Sequence, residues 1–300
     1  MPMHDTDPLP ALSHLSVEQL RLLRSKLKAA PAPQIKAAPA ADAPLPPPSA
    51  VRDGIFAPRP RPAAVCRLMC LPFAGGSAST YVGWAGLLDA RVELVCIDPP
   101  GRGTRFNDAP IGNARLLAER LARDLHPWLD KPFCLFGHSN GALAAFEVAR
   151  RLRDLGHEPL GFFASAKTAP ARVAERSHWH VMPDEQLLAA VRAVGQDKQR
   201  FLQHGEAVAL FLRALRADLA LSETYRPSSA APLASHLVTL RGTEDDCMTG
   251  PDLNAWAAEF TGRVRHCELP GAHFFIDDHP AQVLSLVNQA LDAWIEPTPA

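Results

Sequence analysis

From about residue 66 onward, short apolar runs alternate with stretches whose apolar side chains recur every three or four residues. The runs fall at 67–71, 92–98, 133–136, 160–165, 236–241 and 264–269. Their shortness and continuous hydrophobicity predict buried strands, and the intervening 3.6-residue periodicity predicts helices. Strand and helix in alternation predict an α/β fold with a mostly parallel, doubly wound sheet, whose functional residues gather at the C-terminal strand ends. The longest interruption, roughly 170–230, is patterned as helix. Inserted between strands six and seven of the fold, it is placed to act as a lid. Trp179, Val181, Met182, Leu187, Leu188, Val191, Phe211 and Leu215 are its expected packing residues.

The pattern changes upstream. Residues 31–63 are rich in Ala and Pro and lack the bulky apolar side chains that offset ordering entropy, so they read as an extended linker. Before it, Ser16 with Gln19 makes a capping box, Leu15 and Leu20 are spaced as a staple, and Leu20, Leu23 and Leu27 line one helical face. So short a helix is marginal alone, and residues 11–29 are expected to dock on a synthase subunit or carrier protein. The chain therefore divides into a helix within 1–30, a linker over 31–63, a catalytic domain over 64–296 and a tail over 297–300.

Composition bounds the partners. With 47% hydrophobic residues and a net charge of −1, the chain can bury one sizeable core and carries no overall field suited to nucleic acid or anionic membranes. Cys66, Cys70, Cys96, Cys134, Cys247 and Cys267 show no C-x-x-C spacing and lie mostly in strand patterns, as reduced cysteines of a cytoplasmic protein would. No export signal or 18-residue apolar stretch is present.

Chemistry enters at Gly137-His138-Ser139-Asn140-Gly141, where an apolar strand runs directly into a helical pattern. Gly-x-Ser-x-Gly in that setting predicts a nucleophile elbow, with Ser139 strained in the turn and the two glycines letting strand and helix close around it. A serine hydroxyl needs a base and a group to orient that base. Glu244-Asp245-Asp246 follows the strand at 236–241, and Gly271-Ala272-His273 follows the strand at 264–269. Serine, acid and histidine in that order predict a triad of Ser139, Asp245 and His273, with Asp245 preferred to Asp246. Backbone amides of Asn140 and of Ala74, in Pro72-Phe73-Ala74-Gly75-Gly76-Ser77, are the expected oxyanion donors. The chemistry calls for no metal or organic cofactor.

With these residues assembled, the chain from about 66 to 295 resembles the type II thioesterases, the discrete α/β-hydrolases that serve polyketide and nonribosomal peptide synthetases. The likeness rests on Leu71-Pro72-Phe73-Ala74-Gly75-Gly76-Ser77, Pro100-Gly101-Arg102 with Arg105, Phe136-Gly137-His138-Ser139, Leu215-Arg216-Ala217-Asp218 with Glu223-Thr224-Tyr225, and His273-Phe274-Phe275. The resemblance implies hydrolysis of acyl groups from the phosphopantetheine arm of acyl or peptidyl carrier proteins, for editing or release. It makes Ser139 the nucleophile, Asp245 the acid and His273 the base. Asn140, Gly103-Thr104 and Gln196-Asp197-Lys198 depart from the family pattern. Release domains of this fold take their acid from the loop after the strand following the nucleophile, but here that loop is Ala166-Lys167-Thr168-Ala169. A carboxylesterase, an acyltransferase or a noncatalytic adaptor are the rival expectations. Arg102 and Arg105 read as solvated loop arginines.

Overall fold

The computed structural model describes residues 51, 53–172, 178–193, 205–247 and 249–295. The helix within 11–29, most of the linker and the tail lie outside them. Seven strands form one sheet: β1 (Ile55–Phe56), β2 (Cys66–Leu71), β3 (Val92–Ile97), β4 (Phe133–His138), β5 (Gly161–Ser165), β6 (His236–Gly242) and β7 (Val264–Leu269). Their spatial order is β1-β3-β2-β4-β5-β6-β7, and every pairing is parallel except that of β1 with β3.

β1 corrects the sequence reading at one boundary. The linker was expected to reach residue 63, yet Ile55 and Phe56 are buried and pair with Ile97 and Cys96. Two strand residues amid prolines are too short for periodicity to register, and the neighbouring sheet edge supplies the pairing.

β2 to β5 are buried throughout, as expected of strands covered on both faces. On one face lie helices α1 (Ala114–Leu125) and α2 (Asn140–Asp154), whose Leu117, Leu121, Leu143, Phe146 and Leu152 pack against Leu135 and Phe162. On the other lies the C-terminal helix, of which Val283, Leu284, Val287 and Leu291 share a core with Phe136, Phe163 and Val238. The lid joins β5 to β6, the fifth and sixth described strands, and contributes α3 (Asp184–Ala193) and α4 (Gly205–Glu223). Trp179, Leu187, Val191, Phe211 and Leu215 form a small separate core, with Met182 and Leu188 at its margin. Val181 departs from the expectation and is 67% exposed. Two short helices, α5 (Gly250–Asn254) and α6 (Phe275–Asp278), precede the C-terminal α7 (Pro280–Trp294). Among the described residues no helix is long and apolar enough to cross a membrane.

Candidate active site

β4 ends at His138 and α2 begins at Asn140, so Ser139 alone makes the turn between them, with φ 53° and ψ −123°. An L-residue avoids that region, and the surroundings must hold it there. They do so through close backbone contact. A Cβ on Gly137 would lie 2.3 Å from Gly141 O, and one on Gly141 would lie 2.4 Å from both Leu71 O and Pro72 O. The Ser139 amide donates to Ser165 O at 2.7 Å, tying the elbow to β5.

The turns after β6 and β7 bring the other two predicted side chains to the same rim. His273 Nε2 stands 2.9 Å from Ser139 Oγ, and its Nδ1 stands 2.9 Å from Asp245 Oδ2. Of the three neighbouring carboxylates, Asp245 is buried while Glu244 and Asp246 are exposed. Burial opposes the charge on Asp245, but the hydrogen bond from His273 and that from the Cys247 amide (2.9 Å) outweigh it and hold its pKa below the ordinary value. Burial likewise opposes the imidazolium of His273, yet Cys247 and Asp245 outweigh it and raise that ring above the usual histidine value. Phe274 stacks edge-on to His273 at 5.1 Å and to Phe73 at 5.1 Å, which walls the imidazole on its apolar side.

The two predicted oxyanion residues lie at the C-terminal ends of β2 and β4. Asn140 is the first residue of α2, where a helix leaves amides without an intrahelical partner and its dipole favours negative charge. Ala74 sits in the turn after β2, next to Gly75, and packs against the lid core. Asp245, Cys247 and His273 also offer donor atoms within 4.8 Å of one another. Asp245 and His273 are already paired through Nδ1, which marks the group as a hydrogen-bonded relay.

Several residues escaped the sequence reading. His138, one position before the serine, is fully buried 5.5 Å from the His273 ring, with Nδ1 on Ser165 Oγ at 2.8 Å. Burial and the nearby His273 push its pKa down to about 3, so it stays neutral. Lys167, in the loop expected to lack an acid, donates from Nζ to Ser222 Oγ of the lid at 2.7 Å, and burial lowers it to about 8. Arg102 and Arg105 correct the expectation of solvated loop arginines, being 8% and 5% exposed. Arg102 Nη2 holds Asp218 Oδ1 at 2.7 Å, and Arg105 reaches Asp108 and Asp124, each at 2.8 Å. A buried guanidinium needs such partners, and the one that holds Arg102 lies 116 residues away, where no local pattern points to it.

A thioesterase domain model matches residues 66–291. The gramicidin S biosynthesis protein GrsT of Aneurinibacillus migulanus is 30% identical over 236 residues, which span 78% of this chain and 92% of that protein. Thioesterase PikA5 of Streptomyces venezuelae is 32% identical over 234 residues, 77% of this chain and 83% of its own. In three dimensions the type II thioesterase BorB of the borrelidin biosynthetic cluster superposes with a TM-score of 0.72 at 33% identity, covering 79% of this chain and 97% of that one.

Proposed function

The chain belongs to the thioesterase domain family, and from that premise we propose that it hydrolyses acyl groups from the phosphopantetheine arm of carrier proteins in polyketide or nonribosomal peptide biosynthesis, in editing or release. The contact that carries this reading is the Ser139–His273–Asp245 relay at a strained elbow. His273 Nε2 takes the proton of Ser139 Oγ as that oxygen attacks the thioester carbonyl carbon. The carbonyl oxygen becomes an anion, which the amides of Ala74 and Asn140 receive. As the C–S bond breaks, His273 returns the proton to the departing thiol and an acyl-serine remains. Water, deprotonated by His273, repeats the attack and frees the acid. Asp245 keeps Nδ1 protonated throughout, so that Nε2 faces the serine as an acceptor.

The test is intact-protein mass spectrometry of an acyl-loaded carrier protein. The expected result is return of the carrier to its free-thiol mass, abolished by Ser139→Ala. Loss of the acyl group no faster than spontaneous hydrolysis, or equally fast with Ser139→Ala, overturns the reading. Faster turnover of a matched oxygen ester favours a carboxylesterase instead.

For residues 11–29 the proposal is docking to a carrier or synthase subunit. Because β1 belongs to the sheet, the truncation that tests it stops at residue 50. It should raise KM for carrier-bound substrate and spare a small acyl thioester. Unchanged KM on the carrier refutes docking.

A further inference from the structure

One face of α4 touches the end of nearly every central strand. Phe211, Asp218 and Ser222 lie at helical spacing on it. Phe211 covers Gly75 so closely that a Cβ there would come within 2.6 Å of its ring. Ser222 takes the hydrogen bond of Lys167, after β5. Between them Asp218, 5% exposed, reaches three loops at once. Its Oδ2 accepts the Gly75 amide at 2.7 Å, after β2. Its two carboxylate oxygens accept the guanidinium fork of Arg102, after β3, and Arg102 Nη1 also donates to Gly76 O at 3.4 Å. Its backbone oxygen accepts Asn140 Nδ2 at 2.6 Å, after β4.

Gly75 and Asn140 are the two points where an oxyanion site is set. Gly75 adopts φ 73°, and its amide, held by Asp218, orients the peptide that follows Ala74. The Asn140 side chain is tied to the backbone oxygen of the same residue, and Asn140 opens α2 directly after Ser139. Donors that stabilise a developing anion must be fixed in advance, since a loop that reorients during reaction loses the benefit. Arg102 supplies the charge-assisted hydrogen bonds that satisfy both carboxylate oxygens in this buried position.

We propose that Asp218 is a positioning residue: from the lid helix, through Gly75 and Asn140, it holds the two oxyanion amides in register with Ser139, so that the oxyanion site is complete only with α4 seated. This rests on the reading of Ser139 as nucleophile. It makes the lid part of the stabilising apparatus as well as a cover for the acyl group.

Asp218→Asn is the direct test, because the amide keeps one acceptor and turns two N–H donors toward the donors of Arg102 and Gly75. With kcat normalised to the sites that a fluorophosphonate titrates, the expected fall is about 10- to 100-fold, with KM for a small acyl thioester changed less than about threefold. Octylboronic acid, whose serine adduct mimics the tetrahedral oxyanion, should lose affinity by a similar factor. Arg102→Lys, which keeps the charge and loses the fork, should show the same pattern more weakly and serves if Asp218→Asn does not fold. A folded variant with kcat within twofold of wild type overturns the proposal, as does a lowered kcat with unchanged boronate affinity, the signature of a merely structural role. Turnover that survives Ser139→Ala removes the reading of the site, and the proposal with it. Turnover lost in Ser139→Ala but kept in Asp218→Asn removes the proposal alone.

Discussion

Around Ser139 the chain is held by backbone packed on backbone: Gly137 brings β4 against α2, and Gly141 brings α2 against the end of β2, at distances that leave no space for a Cβ. The lid meets the same sheet edge through side chains instead. Asp218 holds Arg102 and Gly75, and Lys167 holds Ser222; within the lid itself, Glu223 accepts the amides of Trp179 and His180 at 3.0 and 3.2 Å as well as the His180 ring. Contact between backbones tolerates almost no adjustment, since strand and helix must shift together for anything larger to enter. Contacts through long polar side chains can break singly and reform. The molecule thus pairs a rigid nucleophile with a cover able to open one bond at a time, a division suited to an enzyme that must admit a tethered acyl chain.

The rigid side should give the largest effects. Asp245→Asn leaves the elbow intact but presents an amide to His273 Nδ1, which favours the tautomer with Nε2 protonated and unable to accept from Ser139. By analogy with other serine hydrolases, kcat should fall about 10⁴-fold, read with a small acyl thioester. Asp246→Asn, on an exposed neighbour, should remain within about twofold. If the two variants lose activity equally, the acid has been misassigned.

Next in size is Gly141→Ala. The added methyl would stand 2.4 Å from two carbonyl oxygens of the β2 loop, and neither strand nor helix can give way alone. Unfolding in urea should show a loss of about 3 kcal/mol, at the upper end for overpacking. A loss under about 1 kcal/mol would mean that the elbow is softer than its contacts imply.

The same contrast explains what could be read from the chain in advance. Ser139, Asp245 and His273 each follow a strand within a few residues, so periodicity located the strands and turn chemistry located the side chains. The mostly parallel, doubly wound sheet and the lid insertion followed from alternation and from the one long helical interruption. Arg102 and Asp218 lie 116 residues apart, and no local pattern ties a loop arginine to one aspartate on a distant helix. Nothing in the spacing distinguished that buried pair from solvated charges. β1 escaped for the opposite reason: two residues are fewer than any periodicity requires, and only the exposed edge of β3 makes them a strand.

On the lid side, Glu223→Gln should act locally. The carboxylate anchors the segment Trp179–Val181 to the end of α4, and the amide can keep only part of that set. A charge-assisted hydrogen bond contributes about 1.5–3 kcal/mol, so amide exchange over 179–182 should accelerate about 10- to 100-fold. Exchange in β4 and α2 should not change. Acceleration that spreads to α2 would show that lid and elbow open as one unit.

The smallest effect concerns Cys247, whose sulfur lies within 4.8 Å of the donor atoms of Asp245 and His273. It sits between the two regimes, in the turn after β6. Burial alone would make His273 a weaker base, but Cys247 and Asp245 raise its pKa above that of an ordinary histidine. Only the neutral ring accepts the serine proton, so kcat/KM should climb as pH rises through that pKa and level off above it, with its midpoint above 6.5. Cys247→Ala removes one of the two raising influences and keeps the backbone N–H that donates to Asp245 Oδ1. The acid limb should therefore move to lower pH. A displacement of about half a unit makes the variant about threefold faster than wild type on that limb, with the alkaline plateau unchanged within about twofold. A midpoint that stays fixed would leave Asp245 as the sole group raising His273, and one that rises would contradict the favourable contact between imidazolium and sulfur.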